Sequence, residues 1–372
     1  MKILTVVGTR PQLIKAAALQ PALRSRHTEV FVDTGQHWDD DMAAAFFLEL
    51  GLARPDHQLG IGGGGHGEQT GRMLSALEPI VARERPGCVL VYGDTNSTLA
   101  GALSAAKLGI PVAHVEAGLR SFDREMPEEV NRVVADHLSQ WLFAPTPTAV
   151  ENLRAEGLVE GVQLVGDVMQ DLVARYLPEV RDPAVLGPIS ESFRASWPGL
   201  KLRPGGYFFA TVHRAQNREP AMLRSLARLL DGVAGPARPV VFAVHPGTRA
   251  AIENAGLAFG PHVVPVAPQS YRTSLALQLH AAAVLTDSGG VQREAAWLGV
   301  PCLVLRDRTE WIEALEESAG RTVLVGLDAD AAAQALDGLA PPVAAVADTT
   351  SRAVRLDIRP AGAAAAIAGA LA

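Results

Sequence analysis

Short uninterrupted apolar runs recur along the chain, each followed by a polar turn and a stretch with helical spacing. Ile3–Val7 reads as a buried strand, and a helix is expected from about Pro11 to Arg24. Val30–Asp33, Cys88–Tyr92 and Pro111–Val115 continue the series. Strands buried on both faces and alternating with helices are the pattern of a parallel sheet. The rhythm weakens between Asp182 and Gly205, where Pro183, Pro188, Pro198 and Pro204 stand among polar residues. It resumes with Tyr207–Val212, Pro239–Val244, Val263–Val266, Ala283–Thr286 and Cys302–Leu305. The two series predict an α/β protein of two similar domains facing one cleft. The Ala-rich tail, Pro360–Ala372, predicts a terminal helix, because Ala is the best helix former.

Composition narrows the class. A chain of 372 residues suits about two domains. Hydrophobic residues make up 48% and charged residues 20%, as in soluble globular proteins. A net charge of −7 gives no basic bias toward nucleic acid. The two cysteines, Cys88 and Cys302, lie in apolar runs and read as buried reduced thiols rather than zinc ligands. The apolar start is broken by Gly8-Thr9-Arg10-Pro11, too early for a signal peptide. No stretch approaches the roughly 20 apolar residues of a spanning helix. The expectation is a cytoplasmic protein with neither membrane nor nucleic acid as partner.

In open parallel sheets ligands bind beyond the carboxyl ends of the strands, and the unusual polar residues fall there. Arg10 and Pro11 follow the first strand. Pro11 suits a first helical turn, helix N-termini attract anions, and Arg10 adds a bidentate phosphate donor. Lys15 lies one turn further along. Alone, the pair reads equally as surface charge. Asp94 and Glu116 each follow a strand. One such carboxylate caps a helix; two point to a shared acidic site. Glu128, Glu129 and Arg132 either join it or form a solvated helix start with acids placed for the dipole.

In the second half, His213-Arg214 and His245-Pro246 end neighbouring strands, a placement that suits catalysis and structure equally. Asp287-Ser288-Gly289-Gly290 joins a strand to a helix. Exposed amides at Ser288, Gly289 and Gly290 would cradle a diphosphate, and Glu294, one turn on, would accept from ribose hydroxyls. Gly60–Gly65 formally satisfies G-x-G-x-x-G but follows no convincing buried strand, so no nicotinamide site is predicted. With His66 and Arg72, that loop is expected to border the cleft.

Together these blocks resemble the non-hydrolysing UDP-N-acetylglucosamine 2-epimerase family. The match runs through Gly8-Thr9-Arg10-Pro11 with Lys15, Thr34-Gly35-Gln36-His37, Tyr92-Gly93-Asp94-Thr95 and His114 to Arg120. It continues with Pro127-Glu128-Glu129 to Arg132, His213-Arg214, Leu285 to Gly290, Leu305-Arg306-Asp307 and Thr309-Glu310. The resemblance implies a GT-B-type architecture, two Rossmann-like domains with parallel sheets facing a central cleft. Residues 1–167 would form the first domain and 168–357 a UDP-binding domain, with a helix of about 358–372 returning to the first. It also implies a homodimer acting on a UDP-sugar, with no NAD, no metal and no other cofactor.

The implied reaction interconverts UDP-N-acetylglucosamine and UDP-N-acetylmannosamine by anti elimination of UDP to 2-acetamidoglucal and re-addition. By motif, Asp94, Glu116 and Glu128 are the acid/base group, and His213 a catalytic or leaving-group residue. Arg10, Ser288, Gly289, Gly290 and Glu294 would hold UDP, supported by Lys15 and Arg132. Gln36, His37, Arg72, Arg214 and His245 resemble parts of an activating second UDP-sugar site, although Asp39 stands where Gln is common. Trp311-Ile312 replaces a commoner Arg-Pro, and Leu59–Met73 and Ser121–Met126 resemble a branch that includes UDP-2,3-diacetamido-2,3-dideoxyglucuronate 2-epimerases. A GT-B glycosyltransferase, a hydrolysing epimerase and a nucleotide-sugar sensor are the alternative readings.

Overall fold

The computed structural model describes residues 1–36, 47–195, 197–214, 216–316, 318, 320–338, 358 and 360–372. His37 and Asp39 lie outside the described residues. The chain forms two compact units, Met1–Leu172 with Arg359–Ala372, and Val173–Ile358.

In the first unit β1 (Lys2–Val7), α1 (Arg10–Arg24) and β2 (Thr28–Asp33) open the fold. Then come β3 (His57–Gln58), α2 (His66–Glu84), β4 (Cys88–Tyr92), α3 (Asn96–Lys107) and β5 (Val112–Val115). The unit continues with α4 (Pro127–Leu138), β6 (Trp141–Ala144), α5 (Pro147–Ala155) and β7 (Val162–Leu164). All pairings are parallel, in the order β3-β2-β1-β4-β5-β6-β7. Reversal of direction at β1 makes the β1/β4 boundary a topological switch point. Leu4, Val6, Val89 and Val91 are buried with Met73, Leu77 and Val81 of α2, which explains the uninterrupted apolar strands. The division between the units falls inside α6 (Val168–Val180).

The second unit repeats the plan. After α7 (Leu186–Ser192) come β8 (Phe208–Val212), α8 (Pro220–Val233), β9 (Val240–Val244), α9 (Pro246–Asn254) and β10 (Val263–Val266). They are followed by α10 (Tyr271–Leu279), β11 (Ala283–Thr286), α11 (Gly289–Trp297) and β12 (Cys302–Val304). Among the described residues its last elements are α12 (Ile312–Glu316), β13 (Thr322–Leu324) and α13 (Ala329–Gly338). Its sheet runs β10-β9-β8-β11-β12-β13, again parallel, with the switch between β8 and β11.

The apolar pattern locates the central strands and misses β3, β6, β7 and β13, which are two to four residues long. Three expected strands, those opening at Pro111, Tyr207 and Pro239, begin one residue late. Pro111 and Pro239 have no N–H for the ladder, yet their carbonyls accept from Val89 and Phe208. In the tail, only Ala363–Ala370 is helical (α14), because Gly362 precedes it in the left-handed conformation at φ 76°.

Candidate active site

In the first unit, three turns at the carboxyl ends of β1, β4 and β5 are tied together. Gln12, 1% exposed on the first turn of α1, ties the first two. Its Oε1 accepts from the Gly8 amide (2.9 Å) and the Thr9 amide (3.2 Å), and its Nε2 donates to Tyr92 O (2.8 Å) and Thr98 Oγ1 (2.9 Å). A Cβ on Gly8 would collide with the Thr34 and Ser97 hydroxyls, so only glycine fits there. Tyr92 is paired with Val115, which sets Gly93 beside Glu116.

Two carboxylates emerge from these turns, each with a cation. Lys15 pairs with Glu116, and Arg132 pairs with Asp94. Arg132 also donates to Glu129 Oε2 (3.0 Å), and its side chain is 3% exposed, whereas that of Asp94 is 32% exposed. Glu116 itself sits at φ 75°, a conformation strained for a residue with a Cβ and concentrated at functional sites. Glu129 is a buried hub, accepting from the Ser121 amide and hydroxyl and from the Phe122 amide, all at 2.9 Å. Neighbouring Glu128 is half-buried and takes no part in the Glu129–Arg132–Asp94 chain.

A buried charge network underlies this cluster. His114 lies with Nδ1 2.7 Å from Asp136 Oδ1 and Nε2 2.7 Å from Gly93 O. Asp136 Oδ2 accepts from Arg120 (2.7 Å) and the Gly118 amide (3.1 Å), and Arg120 forms two bonds to Glu156. Burial works against the Asp136 charge, but the charge and hydrogen bonds of His114 and Arg120 outweigh it and hold the carboxyl below its usual value. Asp33, at the end of β2, has less help: burial raises it to about 6 against one bond from the Gly35 amide.

In the second unit, Asp287 at the end of β11 organises the site. It is fully buried and accepts from the amides of His213 (3.1 Å) and Arg214 (2.9 Å) and from Asn217 Nδ2 (2.9 Å). His213 Nδ1 lies 2.9 Å from its Oδ1, leaving a ring whose side chain is 41% exposed. Burial opposes ionisation, yet the His213 charge and these bonds prevail and hold Asp287 at about 2. Ser288 caps α11, its hydroxyl accepting from the Val291 amide (3.5 Å). Gly289 is packed so tightly that a Cβ would stand 2.8 Å from Trp311 Nε1 and 2.9 Å from Glu310 Oε1. Glu294, 4% exposed, accepts from Gln278 Nε2 (2.6 Å). Arg293 is sandwiched between Trp297 and Trp311, 4.8 Å from each ring.

The structure thus brings Asp94, Glu116, Lys15 and Arg132 into one cluster, with Arg10 half-buried at the head of α1. It gathers His213, Arg214 and Ser288 around Asp287. The residues matched to an activating site have separate settings. Gln36 Oε1 accepts from the Ser97 amide (3.0 Å) and hydroxyl (2.7 Å), fixing the head of α3, while Arg72 pairs with Glu68 on an exposed face. Arg214 reaches Glu310 at 3.3 Å, and His245 lies 6.3 Å from His213, ring to ring. Sequence reasoning gave no role to Gln12 or Asp136 and none to Asp287 beyond its place in the turn, and it grouped Glu129 with acids that either join the site or open a solvated helix. Asp287 carried a signal, an acid between an apolar strand and a glycine turn; Gln12 carried only the Thr9-x-x-Gln12 capping-box spacing.

A family model described as UDP-N-acetylglucosamine 2-epimerase matches residues 21–355. The UDP-2,3-diacetamido-2,3-dideoxy-D-glucuronate 2-epimerase of Pseudomonas aeruginosa is 45% identical over 336 residues, covering 89% of this chain and 90% of that protein. A UDP-N-acetylglucosamine 2-epimerase of Methanococcus maripaludis is 40% identical over 337 residues, 88% of each chain. The crystal structure of Methanocaldococcus jannaschii UDP-GlcNAc 2-epimerase in complex with UDP-GlcNAc and UDP aligns with a TM-score of 0.83 at 36% identity, covering 100% of this chain and 99% of that one.

Proposed function

The chain belongs to the UDP-N-acetylglucosamine 2-epimerase family and is an epimerase with two Rossmann-like units of the GT-B type, and we propose that it inverts C2 of UDP-N-acetylglucosamine, giving UDP-N-acetylmannosamine. The observation that carries this reading is the pair of cation-held carboxylates, Asp94–Arg132 and Glu116–Lys15, on adjacent strand ends. Inversion at C2 needs one group to take the proton from one face and another to return it from the opposite face. The C2 proton is not beside a carbonyl, so its direct removal is unfavourable. Loss of the proton together with cleavage of the C1–O bond gives 2-acetamidoglucal and free UDP. Protonation from the other face and return of UDP complete the inversion.

In this reading Asp94, Glu116 and Glu128 carry protons, and Arg10, Lys15 and Arg132 meet negative charge in the first unit. Ser288, Gly289, Gly290 and Glu294 hold the nucleotide in the second, and His213, set by Asp287, faces the leaving group. The reading includes assembly as a homodimer, which sedimentation of the purified chain tests. Incubation with UDP-N-acetylglucosamine in deuterated water should put deuterium at C2 of both epimers, seen by proton NMR, without added cofactor. Epimerisation without solvent exchange, or only with NAD, defeats the mechanism.

A second reading has its own support: the 45% identity to the Pseudomonas aeruginosa enzyme, and Trp311 where Arg-Pro is commoner. UDP-2,3-diacetamido-2,3-dideoxyglucuronate would then be the substrate, with Arg72 or Arg124 meeting its C6 carboxylate. Comparing kcat/KM for the two sugars side by side separates the readings.

A further inference from the structure

Asp94 is held through its backbone as well as its carboxylate. Its carbonyl accepts a hydrogen bond from Asn131 Nδ2 (2.9 Å), and the same nitrogen lies 3.2 Å from Asn96 Oδ1. A carbonyl only accepts, so Asn131 turns its amide nitrogen this way and its second proton goes to Asn96 Oδ1. That orients Asn96. Its Nδ2 lies 2.8 Å from Gln69 Oε1 and 3.2 Å from His66 Nδ1, with Asn96 Oδ1 farther from the ring at 3.5 Å. An amide nitrogen has two protons to give and accepts none, so one goes to each. His66 Nδ1 is therefore an acceptor, and the ring hydrogen resides on Nε2.

The relay is buried along its length and open at its end. Asn96, Asn131 and Gln69 are 4%, 5% and 7% exposed, while His66 is exposed. His66 is the first residue of α2, directly after the Gly60–Gly65 loop. A residue needed only to hold Asn96 requires the Nδ1 acceptor alone, which an asparagine would supply. What histidine adds is a donor of fixed position, two side chains away from Asp94.

We infer that His66 is a ligand-contacting residue of the carboxylate cluster, its Nε2–H donating a hydrogen bond to an oxygen of the UDP-sugar, in the diphosphate or the 2-acetamido group. This rests on reading that cluster as the sugar site. Two substitutions separate the two ring nitrogens. His66→Asn keeps an acceptor near the Nδ1 position and loses the outer donor; His66→Gln keeps a donor near the Nε2 position. His66→Asn should lower kcat/KM on the order of tenfold or more, the effect of one lost hydrogen bond to a polar or charged acceptor. His66→Gln should retain most activity. The opposite order, or no loss in either, overturns the inference and leaves His66 as a prop for Asn96. Titration with UDP assigns the acceptor: weakened UDP binding in His66→Asn marks the diphosphate, and unchanged UDP binding with reduced turnover marks the sugar. Nitrogen-15 NMR of the unsubstituted protein at about pH 8 should show the Nε2–H tautomer. The Nδ1–H tautomer would overturn the inference even if a variant failed to fold. An unsubstituted protein that turns over neither UDP-sugar would instead sink the epimerase reading, with the tautomer measurement still standing.

Discussion

Asp287 holds a charge where charge is costly, and does so because four donors converge on it. Its carboxyl sits at about 2 in the folded protein against an ordinary 3.8. A depressed acid stabilises the fold above its unfolded value, and that stability is lost as pH falls from about 4 toward 2. The shift corresponds to about 2 kcal/mol. Asp287→Asn should therefore lower stability near neutrality by about that amount and flatten the acid limb of unfolding between those values. Denaturant titrations at several pH values check both effects. An unchanged acid limb would mean that Asp287 is not the group responsible. The substitution should also reduce turnover, because His213 loses the carboxylate that orients its ring.

Among elements, the decisive connection runs between turns far apart in sequence. The heads of α1 and α3 meet through Gln12, which bonds two amides of the β1 turn and two oxygens at the β4 turn. Gln12→Leu keeps the volume and leaves the buried Gly8 and Thr9 amides unpaired, each costing about 1–3 kcal/mol. The expected result is a loss of at least 2 kcal/mol in denaturant unfolding and a fall in kcat/KM at temperatures where the variant is folded. A stability loss with kcat/KM intact would separate Gln12 from the geometry of Arg10 and Asp94. Locally the sequence marks only its bonds to the β1 turn, through the Thr9-x-x-Gln12 capping-box spacing. Its bonds to the β4 turn exist only because parallel pairing puts β1 beside β4.

On the scale of the whole molecule, the tail returns to the first unit. α14 packs on α1, His27 Nε2 lies 2.8 Å from Ala368 O, and Asp171 accepts from the amides of Gly362 and Ala364 at 2.8 Å. Ile367 and Leu371 are fully buried there. Ile367→Ala should cost about 2–5 kcal/mol, the usual range for truncating a buried aliphatic side chain. The loss should appear in the unfolding of the first unit and leave that of the second unchanged, resolved by hydrogen exchange followed by mass spectrometry. Equal protection of α1 in variant and parent would show that the tail adds no stability to that unit.

By itself the sequence determined the α/β class, the central strands of both sheets and the strand-end residues Asp94, Glu116, His213 and Ser288. Those features rest on local periodicity and on turn chemistry, which a linear pattern records. Short edge strands such as β7 escaped because three residues, one half-buried and two exposed, carry no pattern. Tertiary structure alone decided which charges meet. Arg132 is drawn to Asp94 and Glu129, Asp136 is buried between His114 and Arg120, and Asn96 Nδ2 comes within 3.2 Å of His66 Nδ1. A buried ionic or amide group finds its partner wherever the sheet order brings one within about 3 Å, because leaving it unpaired costs more than the fold can spare. Sequence spacing does not encode that distance; strand order and register do.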